Sequence, residues 1–202
     1  MRMTRSFLPV GQGAFYAERF ELDTGRVNVV YDCGSSTGTH IVEQEIRNYF
    51  EPGEEINGVF ISHFHADHTN GLPYLLKYCR VKNLFFPLIT KELQEFVSLD
   101  ALINPSLSRA FFAAFVESPY DALRALHPDH VPTLYQIQEN TESDDDRGQS
   151  NNIDARPIPS GDNVSDILFA SNQHKKPDWR YIPFNFRESA RINTFKAAMQ
   201  AQ

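Results

Sequence analysis

Residues 61–68 read Ile-Ser-His-Phe-His-Ala-Asp-His, which places His63, His65, Asp67 and His68 within six positions. Three imidazoles and a carboxylate form a borderline-to-hard donor set that suits Zn2+ and, with further donors, Mn2+ or Fe2+. Structural zinc sites usually close on four ligands rich in cysteine, and this cluster contains none, so the donor types favour an open, catalytic site. A metal there lowers the pKa of a bound water from about 15.7 to about 7, which supplies a nucleophile without an activated serine or cysteine. The competing readings are a surface histidine cluster and a closed structural metal site.

The elements around the cluster follow from hydrophobic periodicity. Residues 58–62 (GVFIS) form a short apolar strand that delivers the histidines from its C-terminal end, the edge where ligands gather in α/β sheets. Residues 27–31 (VNVVY) read as a strand buried on both faces that presents Asp32 at its end. Between them, Ile41, Val42, Ile46 and Phe50 stand near helical spacing over residues 36–50, closed by Pro52-Gly53. A hairpin over residues 6–10 and 13–20 opens the chain, a helix over 70–78 follows the cluster, and a strand over 82–87 comes next. Residues 90–126 predict two or three helices with breaks at Asn104-Pro105 and Ser118-Pro119. Residues 139–152 are acidic and polar and are expected to form an exposed loop. Strands are expected over 155–158, 164–170 and 179–186, with a terminal helix over 187–202. Alternation of strand and helix makes this an α/β chain.

The HxHxDH string of His63, His65, Asp67 and His68, together with FLPVGQGAF (7–15), VVYDCG (29–34) and ISHFHADHTNGLPYLL (61–76), resembles the metallo-β-lactamase superfamily. The flanking words are most similar to the hydrolase-domain branch of the competence DNA-uptake channel. The resemblance implies an α/β (α+β) fold, the αββα sandwich, as a single domain over residues 1–202. Its metal-binding half is residues 1–90, and residues 91–202 are divergent. The sandwich is expected to be incomplete or to carry a helical insertion at about 90–126.

The resemblance further implies a zinc site of one or two ions, with His63 and His65 on the first and Asp67 and His68 on the second. Asp67 doubles as general base or orienter of the attacking water, and Asp32 hydrogen-bonds and orients the histidine loop. The implied activity is hydrolysis of a phosphodiester or a nucleotide or nucleic-acid substrate. The alternatives are a catalytically degenerate binding or regulatory module, possibly within a larger assembly, and a hydrolase of thioesters, lactones or lactams. Later ligands are sought at His130 beside His127, at Asp162 and at His174, with Asn151-Asn152 as a further pair. Ser160-Gly161-Asp162-Asn163 also reads as a hairpin turn. A protein partner or self-association could complete the site.

Composition bounds these readings. A chain of 202 residues with 41% hydrophobic content is large enough for one buried core. A net charge of -7 argues against a surface coated for non-specific nucleic-acid binding. Cys33 and Cys79 are too few for a disulfide scaffold and read as buried thiols. The start of the chain lacks the apolar run of a signal peptide, and no apolar segment is long enough to span a membrane, so a cytoplasmic location is expected. Trp179, Tyr181, Phe184 and Phe186 are expected as core residues of a strand, with base stacking as the alternative. Lys175, Lys176 and Arg180 form a small basic patch, and Phe111, Phe112 and Phe115 are core or a partner face.

Overall fold

The computed structural model describes residues 1–140, 154–170 and 178–185. Its centre is a seven-stranded mixed sheet. The opening hairpin pairs β1 (Arg2–Phe7) with β2 (Gly13–Leu22), and β2 pairs antiparallel with β3 (Gly25–Ser35). From β3 onward the sheet is parallel, through β5 (Gly58–Phe60), β7 (Asn83–Pro87), β8 (Thr133–Ile137) and β9 (Arg156–Ile158). Two-residue strands β4 (Glu55–Ile56) and β6 (Arg80–Val81) pair at the entry ends of β5 and β7.

Helices occupy the connections, as parallel pairing demands. The first, α1 (Thr39–Tyr49), lies between β3 and β4, and α2 (Ala66–Thr69) with α3 (Leu72–Tyr78) lies between β5 and β6. Three helices, α4 (Lys91–Ile103), α5 (Leu107–Glu117) and α6 (Pro119–Leu126), fill the β7–β8 connection. Their boundaries match the expected breaks: Thr90 and Ser106 cap α4 and α5 with side-chain oxygens, and Pro119 opens α6, where its missing N–H is not needed.

Alternation along the strands sorts the core into two faces. Val30, Val59, Ile61, Leu84, Phe86 and Leu134 pack under α1 and α3 to α6. On the other face, Tyr31 stacks on Phe60 at 4.9 Å, Phe60 on Phe85 at 4.4 Å and Phe85 on Tyr135 at 4.9 Å, one ring from each of four adjacent strands. This ladder is covered by Tyr181 and by α7 (Ser165–Leu168). The described residues thus form one helix layer and one main sheet layer of the expected sandwich, with helices where the insertion was expected.

Three expectations change. Residues 164–170 contain the short helix α7, Ser165–Leu168, rather than a strand, and Ser165 and Leu168, three apart, bury one face of it. Residues 178–185 are not a strand: Pro183 has no N–H to give a ladder, and Tyr181 is buried while Phe184 is exposed. Strand β8 was not expected at all. The terminal helix, Phe186, Lys175, Lys176, Asn151 and Asn152 lie outside the described residues. Among the described residues no helix is long and apolar enough to cross a membrane.

Both cysteines are free and buried. Burial pushes the Cys79 thiol up to about 12 and the Cys33 thiol well above its ordinary range. Since only thiolate reacts readily, native protein at about pH 8 should show no fast-reacting thiol with a disulfide reagent, and two after unfolding. A rapidly titrating thiol in the native state would contradict this core.

Candidate metal centre

The site is built where β3 and β5 end. Past Phe60 the chain turns out of the sheet, and the polar groups of Ser62 are captured by Asp32 of β3, one residue beyond the last β3–β5 pair, Tyr31 with Phe60. Ser62 donates from its backbone N to Asp32 Oδ1 at 2.8 Å and from Oγ to Asp32 Oδ2 at 2.7 Å. His68 Nδ1 donates to the same Oδ2 at 2.8 Å. Asp32 is buried and sits at φ 51, the one non-glycine residue of positive φ among the described residues. That backbone costs about 1–3 kcal/mol and persists only where surrounding contacts over-determine it.

Below the histidines, α2 is pressed onto β2 and β3 through glycine. A Cβ on Gly34 would stand 2.5 Å from the Thr69 backbone N and 2.6 Å from the Asp67 and His68 carbonyl carbons. One on Gly13 would stand 2.7 Å from the Asp67 carbonyl oxygen. Asn70 then clamps the Ser35 backbone, accepting from its N at 3.0 Å and donating to its O at 2.7 Å. Phe64, buried between two histidines, packs against Phe112 and Phe115 of α5 at ring separations of 6.1 and 6.0 Å.

These supports gather the imidazoles. The His63 ring lies 4.1 Å from that of His68 and 4.6 Å from that of His65, and His68 Nε2 stands 3.8 Å from Asp67 Oδ2. Ser62 has one hydroxyl proton and gives it to Asp32, so the 2.9 Å contact between Ser62 Oγ and His63 Nδ1 is a donation from the ring. With both Nδ1 atoms committed as donors, His63 and His68 present lone pairs at Nε2. Burial holds His63 below the ordinary histidine range, helped by His68 and His65 and opposed by Asp32 and Asp67. Its neutral, ligating form is therefore favoured.

In donor type, tautomer and supporting carboxylate these residues fit a divalent cation. Among the described residues, however, no three His, Cys, Asp or Glu side chains already stand in an arrangement that holds one. A cavity of about 300 Å³ opens beside His65 and Asp67, walled by Phe64, Phe96, Val97 and Phe112, with Asp100 and Arg109 paired at 2.7 Å on its edge.

The later ligand candidates lie elsewhere. His130 donates from Nε2 to the Val81 carbonyl at 2.6 Å, at the entry end of β7 and so at the edge of the sheet opposite the cluster. The His127 ring stands edge-on to it at 6.3 Å and shares that placement. Asp162 is exposed in the turn after β9, where Gly161 has φ 91; the turn joins a strand to α7 rather than two strands. His174 lies outside the described residues. Ser62 and Asn70 escaped the sequence reading although both stand in the quoted 61–76 segment, since nothing in their types marks them as anchors.

The sequence profile of the metallo-beta-lactamase superfamily matches residues 20–146. The chain belongs to that superfamily. Among solved structures it is similar to the metallo-beta-lactamase MIM-1 from Novosphingobium pentaromativorans, at 18% identity, TM-score 0.32, covering 77% of this chain and 42% of that one. It is also similar to a beta-lactamase domain protein from Burkholderia ambifaria, at 18% identity, TM-score 0.37, covering 90% of this chain and 44% of that one. The chain spans less than half the length of either. No curated protein matches it.

Two outcomes follow. In nitrogen-detected NMR of metal-free protein, His63 and His68 should carry the proton on Nδ1, and Asp32→Ala should shift His68 toward the Nε2–H form; an Nε2–H His68 in the parent would contradict the hydrogen-bond assignment. Gly34→Ala should lower unfolding stability by about 1–3 kcal/mol by forcing α2 off β3, read from the urea midpoint; an unchanged midpoint would mean that the close contact is absent.

Proposed function

We propose that this chain is a zinc-dependent hydrolase of phosphodiester bonds, and the observation that carries the reading is the Asp32-anchored gathering of His63, His65 and His68 at the end of β5. Membership of a superfamily composed mostly of metal-dependent hydrolases supports the reaction type. The phosphodiester class rests on the similarity of the flanking segments 7–15, 29–34 and 61–76 to the competence-channel branch, an argument by analogy.

Following the superfamily pattern, His63 and His65 would hold one cation and Asp67 and His68 a second, with Mn2+ or Fe2+ as alternatives to zinc. When bound, the cation supplies Lewis acidity and an acidified water at neutral pH. The chain's own contribution is positional. Asp32 and Ser62 fix the Nδ1–H tautomers of His68 and His63 and so aim both Nε2 lone pairs outward. Asp67, partly exposed beside His68 Nε2, would serve as the acceptor for the proton of the attacking water. Phe64 and Phe112 keep water from the inner side of the loop. Two unpaired, buried thiols accord with a reducing compartment, and we place the protein in the cytoplasm.

A second reading has its own support. His130 is committed to Val81 at the far edge, so the first-half donors stand without that later ligand, and a catalytically silent binding or regulatory module, or a site completed by a partner or a second copy, accords with this.

Zinc content and turnover of bis(p-nitrophenyl) phosphate separate the readings. The zinc-loaded parent should turn over, and His65→Ala should lose at least about 100-fold in kcat/KM. Asp32→Ala should weaken zinc binding about 10–100-fold in a chelator competition. A parent that binds no zinc, or turnover indifferent to His65→Ala, overturns the hydrolase reading.

A further inference from the structure

On the sheet face turned away from α1 and α3 to α6, a cavity of about 220 Å³ opens where β5, β7 and β8 end. Phe60, Phe85 and Ile137 line it from three adjacent strands, and Pro183 and Phe184 line it from the segment after Tyr181. An apolar cavity of about 150 Å³ is already enough to admit benzene.

The lining decides what kind of guest fits. Among the described residues no charged side chain lines the cavity, and the polar ones are Tyr31, Ser62 and Asn185. Ser62 Oγ already donates to Asp32 at 2.7 Å, and Asn185 Nδ2 to the Ile137 carbonyl at 3.1 Å. An ionised group would give up its hydration there without a counter-charge, so the guest is uncharged.

The rings select further. Phe60 lies between Tyr31 and Phe85, at 4.9 and 4.4 Å with interplanar angles of 12° and 10°, and Phe85 lies between Phe60 and Tyr135. Their faces are occupied by one another, and the parts left to the cavity are ring edges. Aromatic edges carry positive partial charge and attract the negative face of another ring. A saturated ring of similar size has no such face.

We propose that this cavity is a binding site for a flat, uncharged aromatic ring. The inference stands apart from the phosphodiester reading. Ser62 lines the cavity and also stands 2.9 Å from His63 Nδ1, so the ring can belong to a substrate reaching the histidine cluster or to a separate small molecule.

The test is a titration of the whole chain with benzyl alcohol, followed by NMR of aromatic and methyl groups. Shifts at Phe60, Phe85 and Ile137 should saturate with a dissociation constant of about 1 mM, the scale open to so small a ligand. Benzyl alcohol should bind at least about twofold more tightly than cyclohexylmethanol. Ile137→Phe, which puts a ring into the cavity, should weaken benzyl alcohol at least about tenfold. Should that variant fail to fold, Phe184→Ser, at a side chain that is 64% exposed, should weaken it at least about threefold. No saturable shift at these residues, cyclohexylmethanol binding as tightly, or an affinity untouched by the substitutions overturns the proposal.

Zinc-loaded protein identifies the source of the ring. If the ring belongs to the substrate, phenylphosphonate should bind at least about tenfold more tightly than methylphosphonate and should displace benzyl alcohol. Equal binding of the two phosphonates, or binding of neither, while benzyl alcohol still saturates assigns the cavity to a separate small molecule. A parent that binds benzyl alcohol but does not turn over bis(p-nitrophenyl) phosphate sinks the hydrolase reading alone.

Discussion

One buried carboxylate sets the geometry of the candidate site. Asp32 receives hydrogen bonds from the Ser62 backbone, the Ser62 hydroxyl and the His68 ring, and it does so from a backbone conformation that L-residues rarely adopt. In a low-dielectric setting each of these bonds is stronger than in water, and losing one partner leaves the others poorly satisfied. Asp32 lies where the β2–β3 register shifts, between the Tyr16–Tyr31 and Ala14–Gly34 pairs, and β3 runs on to Ser35 beyond it. Strain at that position and order in the histidine loop are therefore two sides of one arrangement.

The rest of the fold keeps that carboxylate and that loop within reach. Parallel pairing of β3 with β5, in the register Tyr31 to Phe60, sets Asp32 beside the end of β5. Glycine at positions 13 and 34 lets α2 lie directly on the sheet edge, where any Cβ would collide with backbone. Asn70 ties the far end of α2 to Ser35, and Phe64 pins the middle of the loop into the α5 aromatic cluster. The helices between β7 and β8 thus act on the site in two ways, supporting the histidine loop from beneath and walling the cavity beside it.

Much of this was legible because it is local. The apolar runs at 27–31 and 58–62, the helical spacing of Val42 and Ile46, and the proline breaks in 90–126 all report on neighbours in sequence. The donor cluster and the expected role of Asp32 were read from side-chain chemistry and a motif. What escaped depends on contacts distant in sequence. In β8 the buried Gln136 breaks the apolar signature, and the strand exists because residues 133–137 pair with 83–87. Val164, Ile167 and Phe169 are good strand formers, yet the Val164 and Ser165 contacts with Tyr181 close a compact helical turn there. His130 looked like a ligand by spacing alone; its ring is held at the other end of the sheet by a carbonyl that no sequence pattern identifies.

The central claim is that the imidazoles of the 63–68 segment are arranged by Asp32 to receive a cation. A crystal grown with zinc and measured across the zinc absorption edge tests it most directly. The account predicts an anomalous peak at about 2.0–2.1 Å from imidazole nitrogens of this segment, with the His68 Nδ1 to Asp32 contact intact. Full zinc occupancy elsewhere, or no peak at the cluster at saturating zinc, would contradict it.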